Sequence, residues 1–439
     1  FEGMVSDLFN GTFICDYMAI VSGVYHLSVT VVDDASSLAF SEHIYPASHI
    51  RGSPFLLTVR PGLTDPMQSE LDFEYAEIEG RAGEETVLLL VARDTHGNGR
   101  GEGGDNVIAY LNDDLGSKKI LDANVTDNNN GTYILSFHPT NHIGAYHLHI
   151  FIDNNLVKNS PYDVTIHPNA AVASQTRIHS GATSQIGGTS WIFQSGVGNT
   201  RQFDIHTRDQ FDNTLWKGGD VFRAQVRGDT NTPTEYYHLA VLDHDNGRYT
   251  VSYKIDTPGE YEIDVMMASQ ERGLFGEYYS NDSFRGKPHL MRRDGAIDFN
   301  WGLGSILIDD DDVTSSNSEG VSVRWTGYFK VPHSDIYLFE FEHGGENKQE
   351  IKLWIEHELV WENASNNKNY HHDMNGAYFP CMKNVLYSLR IEYVERLVMD
   401  TKKEAAASIL FLWSSRRMLR QRVPSVYLFG NVEQIFGSP

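Results

Sequence analysis

Cysteine is scarce: Cys15 and Cys381 are the two cysteines of a 439-residue chain. They fall in different segments of the pattern described below, so no segment can hold a disulfide of its own, which leans toward a reducing compartment. No apolar run approaches the roughly 18–20 residues that a membrane-spanning helix needs. No secretory leader is visible at the start. Residue 1 is Phe and the chain opens in mid-pattern, which reads as an internal fragment of something longer. Positive charge is in deficit, with 35 Lys and Arg against 59 Asp and Glu and a net charge of −24. That balance disfavours nucleic acid and anionic membrane surfaces as partners, since both call for a basic patch. Catalytic signatures are missing too. There is no G-x-S-x-G elbow, no glycine loop that would cradle phosphate and no Cys/His pairing within one segment. The expectation is therefore no catalytic residues, no enzyme and no cofactor.

What is there is β-pattern. Hydrophobic residues make up 40% of the chain, enough for packed cores, and the length suggests about three domains. In Val321–Pro332 the residues Val321, Val323 and Trp325 alternate with Ser322, Arg324 and Thr326, a period of two that sends one set inward. Tyr337, Phe339 and Phe341 repeat the pattern, as do Ile351, Leu353 and Ile355, and then Tyr387, Leu389, Ile391 and Tyr393. Alternating strands with few helix signals predict an all-β sandwich or barrel.

A second pattern is internal repetition. Arg93-Asp94 is followed by Gly103-Gly104-Asp105, then Asn130-Gly131-Thr132-Tyr133, then Gly144-Ala145-Tyr146. The same landmarks return in order as Arg208-Asp209, Gly218-Gly219-Asp220, Asn246-Gly247-Arg248-Tyr249 and Gly259-Glu260-Tyr261. The opening segment carries the back half: Asn10-Gly11-Thr12-Phe13, Gly23-Val24-Tyr25 and Gly52-Ser53-Pro54-Phe55. Asn-Gly accepts the positive φ of a tight turn and starts a strand, Gly-x-Tyr opens the next, and Ser-Pro-aromatic begins the last. Such turn spacing predicts immunoglobulin-like sandwiches. These residues resemble the filamin-type immunoglobulin repeat over about 1–60 (back half), 65–168 (whole) and 170–268.

The last of these breaks off after Val265-Met266-Met267, yet the chain ends on Phe436-Gly437-Ser438-Pro439, the repeat's closing signature. The economical reading is a domain inserted at a hairpin tip, with 430–439 completing the split repeat. The guest, 273–428, resembles the anthrax-protective-antigen-type (PA-fourteen) β-barrel through Gly273–Tyr279, Ile297–Trp301, Val323–Tyr328, Lys352–Ile355, Tyr387–Tyr393, Leu412-Trp413-Ser414 and Val423–Leu428. Some members of that family bind sugars through calcium, held by two adjacent aspartates before the strand equivalent to Lys352–Ile355. Here that place reads His343–Glu350 without the pair, and Glu356-His357-Glu358-Leu359 replaces an acidic Asp-Gly turn.

Other candidates read blandly. Asp309–Asp312 reads as a solvated acidic loop, and His147 with His149, two apart on a strand, lack a third zinc ligand, as does His371-His372. No metal is expected. Sequons stand at Asn10, Asn124, Asn130, Asn281 and Asn363, the first and third on the repeat's own turn. The filamin resemblance implies that a partner peptide adds as a strand beside the third strand, here Val107, Ile108, Ala109, Tyr110 and Leu111, and Val221, Phe222, Ala224 and Val226. The resemblances imply a structural scaffold that spaces or crosslinks partner proteins within a large assembly, cytoskeletal or axonemal. The alternative is a cell-surface or extracellular adhesin, with carbohydrate as a ligand that the calcium motif does not support.

Overall fold

The computed structural model describes residues 2–31, 48–72, 77–113, 118–179, 184–186, 190–192, 195–228, 236–302, 307–308, 311–312, 320–344, 348–363, 376–396 and 407–435. The chain is built of β-strands and divides into two units, Phe1–His167 and Pro168–Pro439.

In the first unit, residues before 60 form paired ribbons: Met4–Asp7 with Phe13–Asp16, and Gly23–Leu27 with Phe55–Val59. Apolar side chains such as Phe9, Val24 and Leu56 stand exposed on them. A sandwich follows. One sheet runs in the order Lys119–Asp122, Val107–Asp113, Gly144–Ile152, Tyr162–His167 and Ile78–Arg81; the facing sheet runs Asn124–Asp127, Thr132–Phe137, Thr86–Val91 and Glu70–Leu71. Leu90, Leu111, Tyr133, Leu135, Leu148, Ile150 and Ile166, drawn from both sheets, fill the core.

The repeated landmarks have a common physical cause. Asp94 is buried and its carboxylate accepts backbone N–H bonds from Gly62 (2.8 Å), His96 (2.9 Å) and Asn98 (2.9 Å). Asp209 takes the same bonds from Asn169, Phe211 and Asn213, each at 2.9 Å. In each sandwich the Gly-Gly-Asp step meets the tyrosine that follows Asn-Gly. The Tyr133 hydroxyl donates to Asp105 (2.8 Å) and the Tyr249 hydroxyl to Asp220 (3.1 Å). The motif is thus a set of loop anchors that satisfy buried polar groups.

The second unit holds another sandwich. Arg177–His179, Thr200–His206, Arg248–Lys254 and Val241–Asp243 make one sheet; Tyr236–Leu239, Phe222–Gly228, Tyr261–Ala268 and Val432–Gln434 make the other. The last of these strands comes from far along the chain and lies antiparallel to Tyr261–Ala268, with Met266 opposite Gln434 and Ala268 opposite Val432. Ile435 is buried beside Ile263 and Val265, and its N–H donates to the Val265 carbonyl at 3.2 Å. The closing signature, 436–439, lies outside the described residues.

Between Ala268 and Val432 two further sheets enclose one aromatic core. The first runs Leu290–Asp294, Leu274–Tyr279, Val321–Phe329, Tyr387–Arg396, Lys348–Ile355 and Glu358–Glu362; the second runs Asp298–Gly302, Ala407–Ser415, Asp335–Gly344 and Gly376–Cys381. Trp325, Tyr337, Phe339, Phe341, Ile351, Leu353, Ile391, Tyr393, Phe411 and Trp413 point inward, as the period of two requires. Ser322 departs from the pattern. It is fully buried because its hydroxyl donates to the Asn281 carbonyl at 2.7 Å.

Candidate functional site

The strands expected to be free edges are not outermost in their sheets. Val107–Asp113 is flanked by Lys119–Asp122 as well as by Gly144–Ile152, and Ala123 N–H donates to the Ala109 carbonyl at 3.0 Å. Phe222–Gly228 is likewise flanked by Tyr236–Leu239 and Tyr261–Ala268. In both cases the chain adds one short strand after the expected edge, which uses up the backbone groups an incoming peptide would need. Ala109, Leu111, Phe222, Ala224 and Val226 are core residues. Val107 and Val221 are half-buried, and Val221 packs near Leu386 and Phe429. Ile108 is exposed, and Tyr110 lies stacked beside His149 (5.5 Å between ring centres) and Phe151 (5.8 Å) on the outer face.

The histidines have ordinary roles. His147 Nδ1 lies 3.0 Å from an Asp163 carboxylate oxygen, and burial together with the neighbouring His147 lowers the pKa of His149. Among the described residues no three His, Cys, Asp or Glu side chains converge as metal ligands. Asp311-Asp312 form a short strand with Leu307–Ile308; 309–310, His371-His372 and the centre of the loop that lacks the family's calcium-binding aspartate pair, 345–347, lie outside the described residues. Cys15 is exposed; Cys381 is buried in the aromatic-cored domain, and burial pushes its thiol up.

Two features that sequence reasoning missed lie close together on the second unit. The first is a groove of about 450 Å³ on the outer face of the sheet containing Val321–Phe329. Its floor is set by register: Thr326 pairs with Arg390, and Arg390 with Trp354. Tyr328, Ser388 and His357 extend it, and Asn431 of the returning segment walls it. The Arg390 guanidinium lies 4.6 Å over the Trp354 ring. Glu392 pairs with it and also accepts from Arg324 Nε at 2.8 Å, and Glu277, 3.6 Å from Arg324 Nη1, supplies the second negative charge. The groove is thus close to neutral, lined by hydrogen-bonding groups and one indole. Such a lining suits a neutral, polyhydroxylated ligand better than an ion or a lipid.

The second is a largely buried ion pair beside that groove. Arg223 Nη1 and Nη2 lie 2.9 and 2.7 Å from the two carboxylate oxygens of Glu356. His238 Nε2 is 3.3 Å from the same carboxylate, and the Ser388 N–H donates to it. Burial opposes ionisation of Glu356, but hydrogen bonds from Arg223 and His238 and the Arg223 charge hold its pKa down at about 2. The local signal was present: Glu356-His357 occupy a turn where Asp-Gly is usual.

Residues 67–163 and 182–272 match the Filamin/ABP280 repeat, and 270–425 match the PA14 domain. The chain carries two filamin repeats and a PA14 domain. It is 28% identical over 173 residues to the anti-sigma-I factor RsgI3 of Acetivibrio thermocellus, a match covering 39% of this chain and 24% of that protein. Among solved structures it is similar to the Lin-41 filamin domain, at 21% identity and TM-score 0.21, covering 24% of this chain and 96% of that one. It is also similar to an anti-sigma factor domain-containing protein from Clostridium clariflavum, at 15% identity and TM-score 0.28, covering 75% and 100% of the two chains.

Proposed function

We propose that this chain is a non-enzymatic, modular binding protein of the cell surface or extracellular space, in which filamin repeats carry a PA14 domain that takes a neutral saccharide. The groove beside Trp354 supports the reading: it combines an aromatic face, balanced charge and several donors and acceptors. The cytoskeletal or axonemal placement implied by the filamin resemblance has no support among the relatives reported above, and the curated relative is a bacterial protein named as an anti-sigma factor. The architecture proposed is a nested one. The first sixty residues form the back half of one repeat, 65–168 a second, and 170–268 with 430–439 a third that is split by the domain at 273–428. Pairing of Val432–Gln434 with Tyr261–Ala268 supports the split. The ligand reading is tested on an array of neutral oligosaccharides probed with the full chain and with Trp354→Ala. Retention of a defined set of glycans by the parent, lost in the variant, is expected; no retention by the parent overturns it.

Compartment has its own test. The Asn281 amide donates to the Arg285 carbonyl (2.9 Å) and the Asn363 amide to the Gln349 carbonyl (3.3 Å), whereas Asn124 is exposed on a strand. In a host that glycosylates secreted proteins, mass spectrometry should find a glycan at Asn124 ahead of Asn281 or Asn363.

A further inference from the structure

Part of the outer face of the sheet in the 182–272 filamin repeat is shielded from solvent. On the strand Phe222–Gly228, Phe222, Ala224 and Val226 point into the repeat's core, so Arg223 and Gln225 point away from it. Both are nevertheless buried, at 6% and 9% exposure. What covers them is the hairpin tip between Lys348–Ile355 and Glu358–Glu362 of the PA14 domain, 133 positions along the chain. Besides gripping Glu356 through both terminal nitrogens, Arg223 donates to the Leu386 carbonyl (2.8 Å) and to Gln225 Oε1 (3.1 Å). Its guanidinium lies 5.7 Å over the Tyr328 ring. A small apolar cluster of Ala268, Leu386 and Phe429 seals one side.

The tip itself is unusual. Glu356 and His357 both have positive φ, 52° and 67°. A two-residue hairpin of this kind favours Asn-Gly or Asp-Gly, because at positive φ a Cβ crowds the backbone, a cost that Gly avoids and Asn or Asp offsets by local hydrogen bonding. Turn chemistry alone would not choose glutamate. Its side chain reaches a carboxylate into a pocket formed by Arg223, His238 and the Ser388 N–H, which is a reason to tolerate the strain.

We infer that this sheet face is a receptor surface committed to the hairpin tip of the chain's own PA14 domain, and that the Arg223–Glu356 pair locks repeat and PA14 domain into one body. A largely buried, bidentate pair of this kind discriminates against loss of either member, since the survivor keeps its charge without its counter-ion. It follows that the patch of this face around Arg223 and Gln225 is closed to outside partners, whereas among the described residues of its own unit nothing covers Ile108 on the corresponding outer face of the 67–163 repeat in this way.

The test uses the full chain and three variants: Arg223→Met, Glu356→Ala and Glu356→Gly. Calorimetry reads whether the repeat and the PA14 domain melt together, and hydrogen exchange identifies which strands open in each transition. The parent is expected to melt Phe222–Gly228 and Tyr387–Arg396 in one step. Arg223→Met and Glu356→Ala are expected to split that step, with exchange protection lost at Phe222–Gly228 while Tyr387–Arg396 stays protected. The glycine variant separates the two explanations of the tip. If Glu356 is merely a turn residue, glycine relieves strain and raises the melting temperature; if it is a lock, glycine lowers it. A raised melting temperature for Glu356→Gly, or unsplit melting in both other variants, overturns the inference. If Arg223→Met fails to fold, the two Glu356 variants decide alone.

Discussion

Glu356 shows how one carboxylate can decide the behaviour of a junction. Its folded pKa of about 2 lies below the ordinary 4.5, so the ionised form is the one the fold prefers. The resulting stabilisation is complete above about pH 4.5 and is lost as pH falls from there toward 2; by linkage it amounts to about 3 kcal/mol at most. The groups facing it are Arg223, His238 and the Ser388 N–H. Urea midpoints of parent and Glu356→Gln, measured between pH 7 and pH 2, should therefore converge across that window, the parent starting higher. A constant gap would contradict the assignment. Asp94 offers the matching case in the other unit. Burial works against its charge, but bonds from Asn98, Gly62 and His96 outweigh it and hold its carboxyl well below the usual range. Asp94→Ala removes the acceptor of the Gly62, His96 and Asn98 N–H groups and should destabilise its sandwich by about 1–2 kcal/mol in chemical denaturation. The sequence marked Asp94 and Asp209 by repetition. It could not mark Arg223 with Glu356, because a contact across 133 positions leaves no local period.

At the level of strands, pattern and turn chemistry made most of the fold legible. Thr132–Phe137 starts at Asn-Gly, Gly144–Ile152 at Gly-x-Tyr and Tyr162–His167 after Ser-Pro, as their residues dictate. What the pattern could not give was sheet order. Lys119–Asp122 and Tyr236–Leu239 are short strands without clean alternation, and they turn two expected edges into interior strands. The glycines of the Gly-Gly-Asp step act at this scale. A Cβ on Gly103 would overlap the Asp127 carboxylate, and one on Gly218 the Asp243 carboxylate, while the following N–H groups, Gly104 and Gly219, donate to the same carboxylates at 2.8 Å. Gly103→Ala and Gly218→Ala should each push that carboxylate off its N–H donor and cost about 1 kcal/mol, the first lowering the melting of the first unit and the second that of the second.

For the molecule as a whole, the proposed architecture is a repeat that opens at one hairpin, admits a PA14 domain and is completed by the strand Val432–Gln434, which follows Phe429 and pairs with Tyr261–Ala268. The groove and the Arg223–Glu356 pair both sit where that return occurs. Ser388 belongs to both, and His357 lines the groove while its neighbour Glu356 makes the pair. The sequence suggested the return through Phe436-Gly437-Ser438-Pro439, a signature outside the described residues; the described contact is made just before it, by Val432–Ile435. Oxidative cross-linking of a Met266→Cys/Gln434→Cys chain, with Cys15→Ser removing the exposed native thiol, tests this most directly. The account predicts a near-complete intramolecular disulfide between the two positions under native conditions and a raised melting temperature for the repeat. Absence of that bond in folded protein, or cross-links between separate chains instead, would contradict it.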